Sequence, residues 1–449
     1  MQNLIFKVFW VALFIGFVFS CKPKLDVPEP DKGSLDVSKF VAIGNSITAG
    51  YADNALYYDG QMVSYVNLLA EQFKQIGGNE FRIPLMPAGV GVGASGNAKL
   101  MLALKPDCKN VVSLSPIAAA SSGDLAGLFT GINAEGPFNN MGVPGAKAIT
   151  AVFPGYGNPA LGLGNYNPFF TRMLRASEYA TASMLGIAAE QKPTFYSLFI
   201  GNNDVLGYAS SGGSSDIITP LSGAPSIGFN ESIDAIVAGM STNGAKAVIA
   251  NVPDITNLPF FTTIPYNGLV LTRQSEVDSL NFTYAVAQLT FSIGVNAFVM
   301  AVAPPPFARQ MKPNELVLLS TPKDSLKCGG WGSRKPLNNQ FVLSLSEISK
   351  IQDAIYSFNI KLKDVADKNA YAFVDVNNFM AKTKKGIIYN GVTINTTFVS
   401  GGAFSLDAIH LTPLGNALLA NEFIKSINST YRSSIPMIEA SKYKGVVFP

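Results

Sequence analysis

Short apolar runs recur along the chain, and none alternates cleanly between apolar and polar positions. Phe40–Gly44, Phe195–Ile200, Ala247–Asn251 and Tyr371–Val376 are the clearest. Unbroken apolar runs of this length predict strands buried on both faces, as in a parallel sheet. Between them the period lengthens to that of a helix. Tyr65–Ile76 carries Val66, Leu68, Leu69 and Phe73 near helical spacing, and Ser232–Met240 and Glu347–Ala366 follow. Pro413 suits the first turn of a last helix, where its missing N–H costs nothing, and Ala417–Ile427 continues it. Strands alternating with helices predict an α/β sandwich around a mostly parallel sheet.

Two regions depart from that pattern: 81–137, and 207–336, the latter made of Gly207–Gly228 plus Pro253–Pro336. Both are rich in Gly, Pro, Ser and aromatic residues. Segments this long inside one domain are usually functional or separately folded, so they are expected as insertions near the mouth of a site. No internal repeat and no long polar linker follows Ser38. One enlarged domain over 39–430, with a C-terminal extension at 431–449, is the expected organisation.

The N-terminus has a different pattern. Lys7 precedes the twelve-residue apolar run Val8–Phe19, and Ser20-Cys21 follows. The run is shorter than the roughly 20 residues that cross a bilayer and suits a secretory signal over 1–20. A cysteine directly after it resembles a bacterial lipobox, which implies that Cys21 becomes a lipidated N-terminus anchoring the protein in the cell envelope, with the outer membrane the expected site. Val18 stands where a leucine is usual. Residues 21–38, with Pro23, Pro28 and Pro30 among mixed charges, are expected as a tether.

Composition narrows the function classes. Charged residues make up 14% of the 449-residue chain and the net charge is +3. No long run of one sign occurs, which argues against nucleic acid as a partner. With Cys21 set aside, Cys108 and Cys328 remain. Outside the cytoplasm such a pair often bonds, and buried free thiols are the equal alternative. A disulfide would pin the two insertions together.

The chain has one histidine, His410, three residues after Asp407. One imidazole cannot build a multi-histidine metal site, but it can serve as a single general acid/base. Acyl transfer needs a hydroxyl, a base, a group to hold that base, and oxyanion donors. Ser46, two residues beyond the first apolar run, lies where a parallel sheet binds ligands. Asp407 and His410, read as one turn of helix, would share a face. Asn203 follows the second run, and Gly145 sits in the small-residue loop Asn140–Ala146, where a bare N–H can approach a substrate.

Four blocks in order resemble the SGNH/GDSL hydrolase family: Gly44-Asn45-Ser46-Ile47, Gly145, Gly201-Asn202-Asn203-Asp204, and Asp407 through His410. Asn45 and Ile47 replace the first block's usual aspartate and leucine, and about 200 residues separate the last two blocks. The resemblance implies a flavodoxin-like three-layer α/β/α sandwich and hydrolysis of carboxylic esters. It implies Ser46 as nucleophile, His410 as base and Asp407 as its orienting partner. Ser46 N–H, Gly145 N–H and the Asn203 amide would hold the oxyanion, and neither metal nor organic cofactor is implied. Acyl esters, in a lipase- or esterase-like reaction, are the leading substrate expectation. Acetylated glycans, or a non-catalytic ligand-binding role, are the alternatives.

Three other matches carry nothing. Asp278-Ser279-Leu280 and Asp324-Ser325-Leu326 lack the preceding glycine and strand. Gly91–Gly96 has dinucleotide-like glycine spacing, but no strand leads into it.

Overall fold

A computed structural model describes residues 29–304 and 307–449. The signal segment and Cys21 lie outside the described residues. Five parallel strands form the central sheet: β1 (Phe40–Gly44), β2 (Asn140–Gly142), β3 (Phe195–Phe199), β4 (Lys246–Ala250) and β5 (Ala372–Val374). Their order is β2-β1-β3-β4-β5. This is the flavodoxin-like order, whose switch point lies between β1 and β3. Four of the five strands were legible as apolar runs because every residue of β1 and β3 is buried. The exception is β2. Three residues with the sequence Asn-Met-Gly carry no β-branched run, and only their pairing with Ala42–Gly44 makes them a strand.

Helices cover both faces. On one lie α2 (Tyr65–Phe73) and α8 (Pro413–Tyr431), which pack on each other, with α7 (Val376–Lys385) touching α8; on the other are α3 (Met184–Glu190), α5 (Phe229–Met240) and α6 (Leu345–Lys368). Local chemistry sets their starts. Ser344 and Glu347 form a capping box at α6, and Thr412 accepts the Gly415 N–H ahead of Pro413 at α8. Such caps contribute about 1 kcal/mol each. Leu419, Phe423, Ile424 and Ile427 then bury one face of α8 against the sheet, at roughly 2 kcal/mol per side chain.

Both ends of the domain differ from expectation. Within the segment 21–38, expected as a tether, the described part packs on the domain: Leu35 and Val37 are buried in the main core and Ser34 N–H bonds Tyr431 O. The segment 431–449 is likewise not a free extension. Tyr431 Oη donates to Ala247 O at 2.6 Å, and Ile435, Ile438 and Ala440 are buried.

The insertions are folded. Within 81–137, Leu100–Pro106 and Val112–Ala118 form an antiparallel hairpin. The second insertion begins later than expected: Gly207 belongs to α4 (Asn203–Ser210), and Ile255, Leu258 and Phe261 join the main core. Beyond them it carries two small clusters of its own, one around Val277 and Tyr284, the other around Phe298 and Met311. Cys108, at the hairpin tip, is disulfide-bonded to Cys328, so one insertion is tied to the other. Asp278–Leu280 and Asp324–Leu326 lie within short helices of this region.

The ends of β1, β2 and β3 are level: Gly44 pairs with both Gly142 and Phe199. The chain after β1 folds back at once into α1 (Ser46–Ala49). A Cβ on Gly44 would fall 2.0 Å from buried Thr48 Oγ1 and 2.8 Å from Phe199 O. Overpacking of this kind costs typically about 1–3 kcal/mol. Gly44→Ala is therefore expected to lower the urea midpoint of unfolding and to reduce activity more than its stability loss alone explains, since it displaces the turn that holds Ser46.

Candidate active site

Ser46 is the first residue of α1, and its backbone position is fixed from two sides. Asn45 caps the helix by accepting the Ile47 N–H at 3.2 Å, and its amide donates to Asn202 Oδ1 at 3.2 Å, tying the ends of β1 and β3 together. Ser46 is 8% exposed. Its Oγ lies 2.8 Å from His410 Nε2, and His410 Nδ1 lies 2.8 Å from Asp407 Oδ2. Three residues from opposite ends of the chain thus form one hydrogen-bonded line.

The Asp407–His410 segment is a turn and not the helical turn expected from its spacing. Ala408 has φ +63°, outside the helical range. Asp407 itself makes the turn: its Oδ1 accepts the N–H groups of Ile409 and His410 at 2.9 and 2.8 Å. The carboxylate folds its own backbone so that the imidazole comes back alongside it, which an aspartate does readily.

Further donors hold Asp407. Ser405 Oγ donates to Oδ1 at 3.1 Å and Asn54 N–H to Oδ2 at 2.9 Å. Asp53 N–H donates to Ser405 Oγ, and Leu406 N–H donates to Asp53 Oδ1. The segment after α1 thus clamps the histidine turn. Tyr51 completes it, its ring 4.8 Å from the imidazole centroid to centroid. These contacts were not legible, because most involve backbone groups and no residue pattern marks them. Burial raises the Asp407 carboxyl, but the charge of His410 and the hydrogen bonds from His410 and Asn54 outweigh it and hold the carboxyl well below the usual range. Asp407 is therefore ionised at neutral pH, and its charge can stabilise the imidazolium that forms when Ser46 gives up its proton.

The expected oxyanion donors surround the same edge. Gly145 follows β2 with φ +83°, a conformation that favours glycine, and the backbone there is exposed. Asn203 opens α4, and its Nδ2 donates to Ala146 O at 2.9 Å. One amide hydrogen is thereby used to hold the Gly145 loop; the other remains for a ligand. Neither Ser46 N–H nor Gly145 N–H has a partner among the described residues. The arrangement can activate a hydroxyl and stabilise an anion beside it.

Two cavities adjoin this line. One, of about 40 Å³, is lined by Ser46, Asn203 and His410 and closed by apolar side chains including Ile255, Leu258, Phe379 and Met380. The other, of about 740 Å³, lies on the Asp407 and His410 side, between the hairpin and the segment 319–327. Phe260, Phe398, Asn54, Ser113, Ser115 and Ser320 are among its lining residues.

Asp204 supports the loop from below. It is buried, and its Oδ2 accepts the Ala148 N–H at 2.8 Å while Oδ1 has no hydrogen-bond partner among the described residues. Burial, outweighing that hydrogen bond, pushes its carboxyl up from 3.8 to about 6. A group with a raised folded value contributes its stability below the unfolded value, and the contribution is lost as pH rises through the folded one. Asp204→Asn is thus expected to gain on the parent between pH 4 and pH 8, by on the order of 2–3 kcal/mol at the upper end. Urea unfolding of both proteins at the two pH values checks this.

Neither curated proteins nor solved structures gave a match. A family model described as GDSL-like Lipase/Acylhydrolase matches residues 40–423, from the first residue of β1 into α8. The match spans Ser46, Gly145, Asn203, Asp407 and His410, together with both insertions. The α/β sandwich with its parallel sheet is consistent with that family's fold. With most of its length matched, the chain belongs to the GDSL-like lipase/acylhydrolase family, whose members hydrolyse esters.

Proposed function

We propose that this protein is a serine esterase that removes a short acyl group from a bulky polar alcohol. The observation that carries the reading is the unequal pair of cavities on the two sides of Ser46 and His410. Ser46 Oγ attacks the ester carbonyl carbon while His410 Nε2 takes its proton. The N–H groups of Ser46 and Gly145 and the free hydrogen of the Asn203 amide receive the developing oxyanion. When the C–O bond breaks, His410 returns that proton to the departing alcohol, so the alcohol must leave on the histidine side. Water, activated by His410, then releases the acyl group from Ser46 as a carboxylic acid.

The alcohol side is the 740 Å³ cleft, and the acyl side is the 40 Å³ apolar cavity. The latter has room for roughly two to four carbon atoms. Phe260 and Phe398 offer faces for the apolar side of a sugar ring, and Asn54, Ser113, Ser115 and Ser320 offer hydrogen bonds. An acylated glycan fits this mixture, which favours the glycan alternative over the lipase-like one. A second reading rests on the hairpin. Leu100, Leu104, Leu114 and Pro116 lie on one face of its two strands and are at least partly exposed, a surface along which a longer acyl chain would lie.

We also propose that Cys21 is the acylated first residue of the mature protein, on the strength of the apolar run before it and the Pro-containing segment after it. The enzyme would then work from a membrane of the cell envelope.

A series of p-nitrophenyl esters separates the two substrate readings. The rate is expected to be highest for acetate to butyrate and to fall steeply by octanoate, with Met380→Ala shifting the optimum to longer chains. Ser46→Ala is expected to lower turnover by about 10⁴-fold or more, and Asp407→Asn by less. Rates that climb through octanoate to palmitate contradict the short-acyl reading. For the anchor, Cys21→Ser is expected to release the protein from the membrane fraction or leave it as precursor; normal processing and retention would place the anchor elsewhere.

A further inference from the structure

Behind the short helix Lys323–Lys327 lies a second groove of about 990 Å³, which the reaction does not use. Lys323 and Lys327 line both this groove and the catalytic cleft, so the two hollows share one wall. Its charge is one-sided. Lys109, Arg273, Lys323, Lys327 and Arg334 line it, against Glu276 as the only acid among its described lining residues. Arg273 is paired with Glu276, and Lys327 with Asp107. Lys109, Lys323 and Arg334 have no ion-pair partner among the described residues, and all three are exposed.

Their placement is not that of scattered surface lysines. Lys109 sits at the tip of the hairpin, where the Cys108–Cys328 disulfide fixes it to the rim. Asp324 Oδ1 also accepts the Cys108 N–H at 3.2 Å. The covalent link that ties the hairpin to the residue after the helix Lys323–Lys327 thus also holds a cation beside the neighbouring groove. Unpaired cations facing one hollow concentrate anions there, more so at low salt.

We infer that this groove is a binding track for an acidic polysaccharide, whose anionic groups meet Lys109, Lys323 and Arg334 while an acylated residue of the same polymer occupies the catalytic cleft. The inference rests on the reading of that cleft as the alcohol side. A concave hollow suits a strand of polymer, where a membrane presents a broad face. Nucleic acid offers no carboxylic ester for the adjoining Ser46. The polymer need cross only the shared wall to reach both hollows.

The test is retardation of the whole protein in native gels containing polygalacturonate, or dextran as a neutral control. Polygalacturonate is expected to retard the protein, dextran is not, and about 0.5 M salt should abolish the effect. Lys109→Ala/Arg334→Ala is expected to weaken retardation by roughly three- to tenfold, with p-nitrophenyl acetate hydrolysis unchanged as the sign that fold and catalysis are intact. Equal retardation by dextran, or a double variant that binds polygalacturonate as the parent does, overturns the inference. Binding to vesicles containing anionic phospholipid with none to polygalacturonate overturns it too, in favour of a membrane surface. Because p-nitrophenyl esters do not reach the groove, failure of the short-acyl reading is seen separately, in the chain-length profile.

Discussion

The carboxylate of Asp407 is the group on which the site depends. Its side chain is 7% exposed, yet it stays charged because five donors converge on its two oxygens: Ser405 Oγ, the N–H groups of Asn54, Ile409 and His410, and His410 Nδ1. Burying an unpaired charge would cost several kcal/mol, and removing one partner of a buried pair typically about 3–5 kcal/mol. The same hydrogen bonds that offset this cost also shape the turn. They set the direction of the imidazole and join the chain's C-terminal quarter to the segment just after Ser46. Charge stabilisation, turn geometry and base orientation are here one set of contacts.

That set can act only because the sheet delivers its partners to one edge. β1, β2 and β3 end level, and Ser46, Gly145 and Asn203 follow those three ends. In a parallel sheet every such end points the same way, and between β1 and β3 the order reverses and leaves a crevice. The Asn45–Asn202 and Asn203–Ala146 hydrogen bonds then lock the three loops to one another. The insertions add what the sheet lacks, a wall above the edge. Tied by Cys108–Cys328, they give the His410 side a large hollow and leave the Ser46 side a small one.

The parts of this account that were legible in the sequence are those encoded by a few adjacent residues. Phe40–Gly44 reads as a doubly buried strand because it is one. Gly44–Ser46, Gly201–Asp204 and Asp407–His410 were recognisable because each block's chemistry is local. Tertiary contacts decide the rest. Asp407 and His410 share a face through an aspartate-made turn and not through helical spacing. Asn140–Gly142 is a strand only by virtue of its neighbour. Leu35, Val37 and the residues after Tyr431 had polar, proline-bearing surroundings that resemble a linker, yet they pack on the core. Asn54 and Ser405 act through a backbone group and a lone hydroxyl, which no spacing announces. The two cavities are made by segments distant in sequence, so their sizes could be read only from the fold.

In the proposed reaction, proton transfer through one imidazole drives the chemistry at Ser46. Because His410 is the only histidine in the chain, diethylpyrocarbonate can modify a single ring. Loss of p-nitrophenyl acetate hydrolysis is predicted to track that modification one to one, to be slowed by a bound substrate analogue, and to be reversed when hydroxylamine restores the ring. Full hydrolytic rate with His410 modified, or replaced by alanine, would contradict the account.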